Sequence, residues 1–293
     1  MSLPPLELIA YATGLGLELP ETGWRALQGG QTNQLWQVYT AKGAKVIKLF
    51  RPNSDTPLFP NDPNCEARML TALAPSGLAP VLSHQGSCAL GTVLIYDHQP
   101  GALWTKDPAR AAKLLRRLHI QPIPDGLRHM PGGSDMVEGQ VATMWDSLTP
   151  ALQQELTRLK PQTPVSASRK TALLHGDPVP GNLLIGATAA QDMLIDWQCP
   201  ALGDVTEDLA LFRSPAMQQI YRGQPLSPAE HARFLDAYGE AEIVGRLAAM
   251  APWHHWRMVA YCGWKAKQGS AAYAAALPLE MEALIRSRAP AGS

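Results

Sequence analysis

The sequence HGDPVPGN at residues 175–182, followed by MLIDW at residues 193–197, is the most informative part of this chain. Two prolines and a glycine exclude a helix interior and a sheet ladder from the middle of the first segment, so it is predicted to be a loop. Short apolar runs are predicted to be strands, one ending at residues 173–174 before the loop and two at residues 183–185 and 193–195 after it. Asp177 and Asn182 therefore flank one loop, and Asp196 ends a strand from which it can face them.

These three polar side chains suit phosphoryl transfer, which depends on positioning and on charge neutralisation. Asp177 fits the carboxylate that orients the attacking hydroxyl group and takes its proton. Asn182 and Asp196 offer the amide and carboxylate oxygens that hold Mg²⁺ on nucleotide phosphates. Asp and Asn also shape ordinary turns, but that alternative accounts poorly for three such residues in this order between short strands.

The segment HGDPVPGN resembles the HGDxxxxN catalytic loop of the aminoglycoside phosphotransferase and choline kinase superfamily. The run IDWQCPALGDVTEDLALF, residues 195–212, resembles the magnesium-binding strand of that superfamily and the GDxxxDLA segment after it. The resemblance implies an α+β, protein-kinase-like fold of two lobes, with a small antiparallel-sheet N-lobe and a mainly helical C-lobe. It also implies phosphorylation of small-molecule hydroxyl groups with ATP and Mg²⁺, and a structural role for Asp208 beneath the catalytic loop.

The order of predicted elements agrees with such a fold. Strands are predicted at residues 24–27, 35–39, 46–50 and 93–96. Asp62-Pro63 is a typical helix start, with Asp as the N-cap and Pro at the first helical position. After Pro100-Gly101 the pattern becomes mainly helical, and Ser227-Pro228 is predicted to start one of the later helices. We therefore predict an N-terminal nucleotide-binding lobe at residues 1–99 and a C-terminal catalytic and acceptor-binding lobe at residues 100–293.

Lys48 lies inside the third predicted strand, where Val46 and Phe50 point to the same side. A lysine with apolar neighbours in a strand needs a partner for its ammonium group. Glu66, near the start of the next helix, is the predicted partner, because kinase-like folds use a lysine–glutamate pair at the nucleotide phosphates. The alternative is an exposed strand lysine and a glutamate favoured by the helix dipole; the catalytic segment favours nucleotide binding.

Two further segments are predicted to contact the nucleotide. The turn GGQTN, residues 29–33, resembles the GGxTN turn of choline- and thiamine-kinase-like proteins, which implicates Gly30, Thr32 and Asn33 at the phosphates. A GG pair also occurs in ordinary hairpins. Asp97 and His98 lie where family members have the hinge between the lobes, and backbone groups there are predicted to bind adenine.

The acceptor is predicted to be a small molecule, with a cationic alcohol such as choline, ethanolamine or thiamine as the first choice. Residues 177–242 contain ten acidic and three basic residues, an excess that would attract a cation. One predicted helix carries four aromatic residues that could face a cationic group: Trp253, Trp256, Tyr261 and Trp264. Solvated acids and core aromatics are the ordinary explanations, and an aminoglycoside or another amino sugar is the next acceptor class.

The composition excludes several other classes of protein. The formal net charge is zero, so nothing indicates binding to nucleic acid or to an anionic membrane. Four scattered cysteines without a CxxC pair argue against a zinc site or a disulfide framework, and suit a cytoplasmic protein. No apolar stretch is long enough to span a bilayer, and the N-terminus lacks a signal-peptide pattern. A monomer or a homodimer is expected.

Two other functions remain as alternatives. A pseudokinase that binds nucleotide without turnover would have no need to keep the whole predicted set of Lys48, Glu66, Asp177, Asn182 and Asp196. A protein kinase would carry a G-x-G-x-x-G loop and HRD, DFG and APE segments, and this chain has none of them. The sequence therefore predicts a small-molecule kinase and leaves its acceptor open.

Overall fold

The structure is a computed structural model that describes residues 3–17, 23–27, 32–41 and 43–288. The chain forms two units, here called unit 1 (Met1–Ala102 with Leu184–Cys199) and unit 2 (Leu103–Leu183 with Pro200–Ser293). The predicted boundary between residues 99 and 100 lies close to the first crossing point. The prediction did not include the return of residues 184–199 to unit 1, where the Leu194 N–H donates to the Leu78 carbonyl at 3.0 Å.

Unit 1 contains an antiparallel sheet of five strands in the order β1-β2-β3-β5-β4. The strands are β1 (Arg25–Ala26), β2 (Gln34–Thr40), β3 (Gly43–Leu49), β4 (Leu82–Cys88) and β5 (Gly91–Asp97). The four predicted strands correspond to β1, β2, β3 and β5. The edge strand β4 was not predicted, because its sequence LSHQGSC has no apolar alternation and none of its residues is fully buried.

The two faces of this sheet have different chemistry. Helix α1 (Leu6–Gly14) covers one face, where Leu8 packs with Ile47 and Leu49 of β3. Because successive strand residues point to opposite faces, Lys48 lies on the other face, which helix α2 (Pro63–Leu73) covers. The strand thus buries apolar side chains under α1 and directs one ammonium group towards α2.

Helix α2 begins where the sequence predicts. The Asp62 side chain accepts hydrogen bonds from the backbone N–H groups of Asn64 at 2.8 Å and Cys65 at 3.1 Å. Pro63 occupies the first turn, where its missing N–H has no helical partner to lose. This cap fixes the register of the helix and so the height at which Glu66, in its first turn, meets the sheet.

The chain crosses between the units three times, and two of these crossings fall inside short strands, while the third lies between Cys199 and Pro200, outside any strand. These strands are β6 (Ala102–Leu103) and β9 (Leu183–Ile185), which form a small sheet with β10 (Met193–Leu194) in the order β10-β9-β6. The predicted strand at residues 193–195 is therefore one residue shorter, and Ile195 and Asp196 follow it.

Unit 2 is mainly helical. Its helices are α3 (Pro108–His119), α4 (Ser134–Met144), α5 (Pro150–Leu159), α6 (Thr206–Arg213), α7 (Pro215–Arg222), α8 (Pro228–Tyr238), α9 (Ala241–Lys267) and α10 (Ala271–Ser287). A second small sheet has the order β7 (Arg128–Met130), β11 (Ala201–Gly203), β8 (Ala172–Leu174). Ser227 and Glu230 form a capping box at the predicted start of α8. None of the described helices is both long and apolar enough to cross a membrane.

Candidate active site

Lys48 is the centre of a buried charge cluster in unit 1. Its side chain is only 1% exposed, and its Nζ lies 2.6 Å from Glu66 Oε2 and 2.5 Å from Asp196 Oδ1. The Phe50 ring lies beside the same ammonium, with its centre 4.7 Å from Nζ. The structure therefore brings the predicted lysine–glutamate pair together and adds Asp196 to it through a charge-assisted hydrogen bond.

The cluster contains one ammonium group and two carboxyl groups. Burial opposes the charge of Lys48, but the carboxylates of Asp196 and Glu66 outweigh that effect and raise the pKa of the ammonium group. Burial also raises the pKa of Glu66, while the charge of Lys48 works to lower it. Two carboxylates share one ammonium, and Glu66 Oε1 is buried without a hydrogen-bond partner in the described structure. When all three groups are ionised, the cluster carries a net negative charge that favours an added cation.

Asp196 has a backbone conformation that few residues adopt. Its φ is +65°, in the left-handed region, which Asp tolerates better than most side chains. Such a conformation costs about 1–3 kcal/mol and persists where the surroundings enforce it. The next residue, Trp197, is fully buried, and its Nε1 donates to the Leu194 carbonyl at 2.9 Å. This anchored turn directs the Asp196 carboxylate to Lys48, and a sequence pattern does not reveal it.

Asn33 is held by a network of side-chain hydrogen bonds. Its Nδ2 donates to Asn61 Oδ1 at 2.7 Å and to Gln198 Oε1 at 2.9 Å. Its Oδ1 accepts from Asn61 Nδ2 at 3.0 Å and from the Arg51 N–H at 3.2 Å. The network joins the start of β2 to the segment that follows Asp196, so Asn33 helps to fix the position of that segment.

The other residues of the predicted phosphate-binding turn are less well defined. Gly30 lies outside the described residues. Thr32 is half-buried beside Asn33, and no side-chain hydrogen bond of Thr32 is found among the described residues. A direct contact of Gly30, Thr32 or Asn33 with phosphate therefore stays a prediction.

Asp97 and His98 form the end of β5 and the residue after it. The Asp97 N–H donates to the Val81 carbonyl at 2.9 Å, and the His98 N–H donates to the Ala44 carbonyl at 3.0 Å. The Asp97 carboxylate forms an ion pair with Lys45. Because both N–H groups are already bonded within unit 1, adenine would have to use other backbone groups of this segment. Adenine binding here stays a prediction.

In unit 2, Asp208 holds the backbone of the loop that carries Asp177. Its carboxylate accepts from the N–H groups of His175 at 2.8 Å and Gly176 at 2.9 Å, and it lies 3.1 Å from His119 Nε2. Burial works to raise the pKa of Asp208, but the hydrogen bonds and charges of the two histidines hold that pKa below its usual range. The side chain thus serves as the structural anchor that the resemblance implies.

Asp177 and Asn182 lie next to each other across this loop. Asn182 Nδ2 donates to the Asp177 carbonyl at 2.8 Å and to its carboxylate Oδ2 at 3.3 Å, and the Asn182 N–H donates to the Val179 carbonyl at 2.8 Å. The amide nitrogen is thereby used for positioning. No hydrogen bond to the amide oxygen is found in the described structure, so that atom is free to be a ligand, while Asp177 remains half-buried and accessible.

These oxygen donors fit Mg²⁺. The metal prefers one or two carboxylate or amide oxygens of the protein and completes its octahedron with water and phosphate. Asp196 is the more exposed carboxylate of the unit 1 cluster, at 27%, and Asn182 presents an amide oxygen in unit 2. No group of three or more His, Cys, Asp or Glu side chains that could hold a metal is found among the described residues.

A chain of contacts leads from the loop at residues 175–182 to helices α7 and α10. A Cβ atom at Gly181 would lie 2.8 Å from the ring of Tyr221, so glycine is required by this close approach. A side-chain hydrogen bond joins Tyr221 to Tyr273 of α10. The surface beside the loop at residues 175–182 is therefore built from tyrosine rings and hydroxyl groups.

Lys265 lies among these rings and was not predicted from the sequence. Its Nζ is 5.5 Å from the Tyr273 ring centre and 5.9 Å from that of Trp264, which stacks on Tyr261 at 6.0 Å. Burial lowers the pKa of Lys265, and the charge of Asp177 partly opposes that shift. A lysine in the last turn of a helix is typical of an interaction with the helix dipole, so no pattern in the sequence distinguishes Lys265 from an ordinary helix lysine.

The two tryptophans at the start of the aromatic segment belong to the core. Trp253 and Trp256 are 3% and 5% exposed, and they pack edge to face with ring centres 6.0 Å apart. Their Nε1 groups donate to the carbonyls of Thr163 at 2.9 Å and Leu156 at 2.8 Å. Trp253 and Trp256 are therefore core residues and do not face a ligand. Of the four aromatic residues predicted to face a cation, only Tyr261 and Trp264 lie near Lys265.

The local excess of acidic residues is largely neutralised by the fold. Seven of the ten acids at residues 177–242 form ion pairs: Asp196 with Lys48, Asp204 with Arg246, Glu207 with Arg257, Asp208 with His119, Glu230 with Arg222, Glu240 with Arg116 and Glu242 with Lys170. Six of these seven partners lie outside the segment. Counting charges along the segment thus overestimated the field that would attract a cation.

Comparisons with known proteins identify the family and the fold of the chain. A sequence model of the phosphotransferase enzyme family matches residues 23–253. A comparison with curated protein sequences found no match. Among solved structures, a thermostable mutant of aminoglycoside phosphotransferase APH(4)-Ia, in a ternary complex with AMP-PNP and hygromycin B, is similar with a TM-score of 0.67 and 13% identity, over 98% of this chain and 99% of that one.

Two further solved structures have the same fold. Choline kinase from Cryptosporidium parvum Iowa II has a TM-score of 0.66 and 13% identity, over 97% of this chain and 95% of that one. Spectinomycin phosphotransferase APH(9)-Ia, in complex with ADP and spectinomycin, has a TM-score of 0.61 and 18% identity, over 99% and 96% of the two chains. These likenesses confirm the predicted α+β, protein-kinase-like fold.

Proposed function

The chain belongs to the phosphotransferase enzyme family, and from that membership we propose that it transfers the γ-phosphoryl group of ATP, with Mg²⁺, to a hydroxyl group of a small molecule. The observation that carries the proposal is the buried cluster of Lys48, Glu66 and Asp196. A desolvated ammonium held between two carboxylates is costly as a purely structural device. It has a clear use where nucleotide phosphates and a metal are to be bound.

Each residue of the site has a role that follows from its contacts. Lys48 binds the nucleotide phosphates, and Glu66 holds its ammonium in place. Asp196 and Asn182 are the metal ligands, and Mg²⁺, when bound, neutralises charge on the phosphates. Asp177 orients the acceptor hydroxyl group and takes its proton on a carboxylate oxygen, while Asp208 fixes the loop from which Asp177 extends.

We propose a cationic alcohol as the first acceptor class. The support is the carboxylate of Asp177 together with the half-buried ring of Trp264, because aromatic faces attract cations. Tyr261 and Tyr273 are only 2% and 4% exposed and belong to the core. The ammonium of Lys265 already lies over the Trp264 ring, 5.9 Å from its centre. A cationic acceptor and Lys265 therefore compete for the same surface, whereas an acceptor with an anionic group would use Lys265 as its partner.

Lys265→Met is expected to lower the KM for cationic alcohols by about 3- to 10-fold with little change in kcat, because it uncovers the Trp264 ring and removes a like charge. Steady-state kinetics with choline, ethanolamine, thiamine and an aminoglycoside would measure this change. Lys267→Met is the matched control, since Lys267 is exposed and lies in the same turn of α9. A KM that rises for every accepted substrate would instead assign Lys265 to an anionic group of the acceptor.

Lys48 and Glu66 are expected to act as one unit. Lys48→Ala should raise the KM for ATP and lower kcat, and Glu66→Ala should do the same more weakly, because the ammonium loses its support but keeps Asp196. The double variant should be clearly less impaired than the two separate losses combined. A double-mutant cycle on kcat/KM measures this coupling; losses that simply add would show that the two residues do not cooperate.

Turnover of ATP distinguishes the proposed phosphotransferase from a pseudokinase. Incubation of the purified chain with Mg-ATP and a panel of cationic, neutral and anionic alcohols should release ADP only in the presence of an accepted alcohol. Nucleotide binding without ADP release across a broad panel would favour the pseudokinase.

A further inference from the structure

A basic cavity in unit 2 is not used by the phosphotransfer site. It has a volume of about 330 Å³ and lies between α6, α8, α9 and α10. Two arginines and three histidines line it, and one of the histidines, His255, is bonded at 2.5 Å to the buried carboxylate of Glu280 behind it. The five residues are Arg213, His231, His254, His255 and Arg286. The volume is at the lower end of the range for small-molecule pockets, about 300–1,000 Å³.

Arg213 is the residue that makes this cavity unusual. Its Nε donates to His231 Nδ1 at 3.2 Å, and the described structure contains no ion pair and no other hydrogen bond for its guanidinium group. Burial alone lowers its pKa to about 10, with no carboxylate acting on it. The two Nη groups are thus left without a protein partner in a half-buried cation, which is unfavourable unless an anion or water satisfies them.

His231 extends the donor set of Arg213. Burial and the adjacent Arg213 charge lower the pKa of His231 to about 4, so the ring is neutral near pH 7. Because Nδ1 accepts the hydrogen bond from Arg213, the neutral ring carries its proton on Nε2. The two residues therefore offer three donor nitrogen atoms, two of them on a planar fork that matches the oxygens of phosphate or carboxylate.

The cavity is well separated from the residues near Asp177. His255 lines it and lies ten residues before Lys265 on α9, which is about 15 Å along a helix. Arg286 lines it and lies thirteen residues after Tyr273 on α10, which is about 20 Å. The cavity and the surface around Lys265 and Tyr273 thus lie at different positions along the same two helices, α9 and α10.

We propose that this cavity binds a small oxyanion, as a phosphate or carboxylate group, through the Nη groups of Arg213 and the Nε2–H of His231. Arg286 also lines the cavity, but its exposed side chain is paired with Glu282 at 3.4 Å, so Arg213 and His231 carry the binding. This site does not depend on the phosphotransfer activity, because none of its residues belongs to that machinery.

Thermal unfolding and calorimetric titration with three probes at constant ionic strength would test the site. The probes are inorganic phosphate, glycerol phosphate and succinate, which separate the free ion, a phosphate ester and a carboxylate. A ligand that binds the folded state raises Tm in a saturable way. We expect at least one probe to raise the Tm of the wild type by a few degrees, with a dissociation constant in the millimolar range or below.

The variants decide where the probe binds. Arg213→Met should abolish the response without lowering the Tm of the free protein, since it removes a cation that has no protein partner. Arg213→Lys should weaken binding about tenfold, because it keeps the charge and loses the fork. Arg158→Met is the control, since Arg158 is an exposed arginine of α5 that does not line the cavity. An unchanged response in both Arg213 variants, or no saturable response in the wild type, would overturn the assignment.

Discussion

Asp177→Asn should lower kcat by about 10²–10⁴-fold while leaving the fold and nucleotide binding nearly unchanged. The substitution removes the carboxylate that takes the proton of the acceptor hydroxyl group. It keeps the hydrogen bond from Asn182 Nδ2 to the backbone carbonyl of residue 177, which is 2.8 Å long. The loop should also keep its anchor, because Asp208 binds the N–H groups of His175 and Gly176.

Steady-state kinetics with an accepted alcohol, together with a nucleotide titration, would measure this effect. Asp236→Asn is the matched control. Asp236 is an exposed acid of the same segment, and its substitution removes the same charge from unit 2. Turnover close to the wild-type rate in Asp177→Asn would remove Asp177 from the role of base. An equal loss of kcat in Asp236→Asn would show that the effect comes from the summed negative charge of the segment and not from Asp177 itself.

Asp196→Ala should abolish magnesium-dependent activity and weaken the binding of Mg-ATP far more than the binding of free ATP. Asp196 is the more exposed carboxylate of the cluster and the strongest metal ligand on offer there. The alanine variant should also lose stability by about 1–3 kcal/mol, because it removes one partner of the buried Lys48 and puts alanine at a φ of +65°.

Asp196→Asn separates these two effects. Asparagine tolerates the left-handed conformation and can still accept a hydrogen bond from Lys48, but it is a poorer ligand for Mg²⁺ than a carboxylate. It should therefore lose activity as the alanine variant does while keeping most of the stability. Calorimetric titrations of ATP with and without Mg²⁺ provide the measurement. An equal loss of affinity in both titrations would contradict a metal-binding role for Asp196.

Local patterns in the sequence predicted the parts of the fold that neighbouring residues determine. The Asp62-Pro63 cap and the Ser227 capping box depend on side chains within three residues of the helix start, and both are present. The loop at residues 175–182 follows from its prolines and glycine in the same way. The Lys48–Glu66 pair could be predicted because strand alternation and helix register are both short-range regularities.

Long-range contacts could not be predicted by the same means. Asn33 meets Gln198 across 165 positions of sequence, and no local pattern links the two. The acidic segment looked like a strong negative field because most of its basic partners, such as Arg246 and Arg257, lie outside it. Lys265 and Arg213 were missed for a related reason, since an ordinary helix lysine or arginine becomes distinctive only through what the fold places beside it.

The most direct test of the central claim follows the γ-phosphoryl group itself. The purified chain would be incubated with γ-labelled ATP, with or without Mg²⁺, and a panel of cationic, neutral and anionic alcohols, and the labelled small molecules would be identified by mass spectrometry. The expected result is a phosphate ester of at least one alcohol that requires Mg²⁺ and is nearly lost in Asp177→Asn. Binding of Mg-ATP without any labelled small molecule across the panel would contradict a small-molecule phosphotransferase.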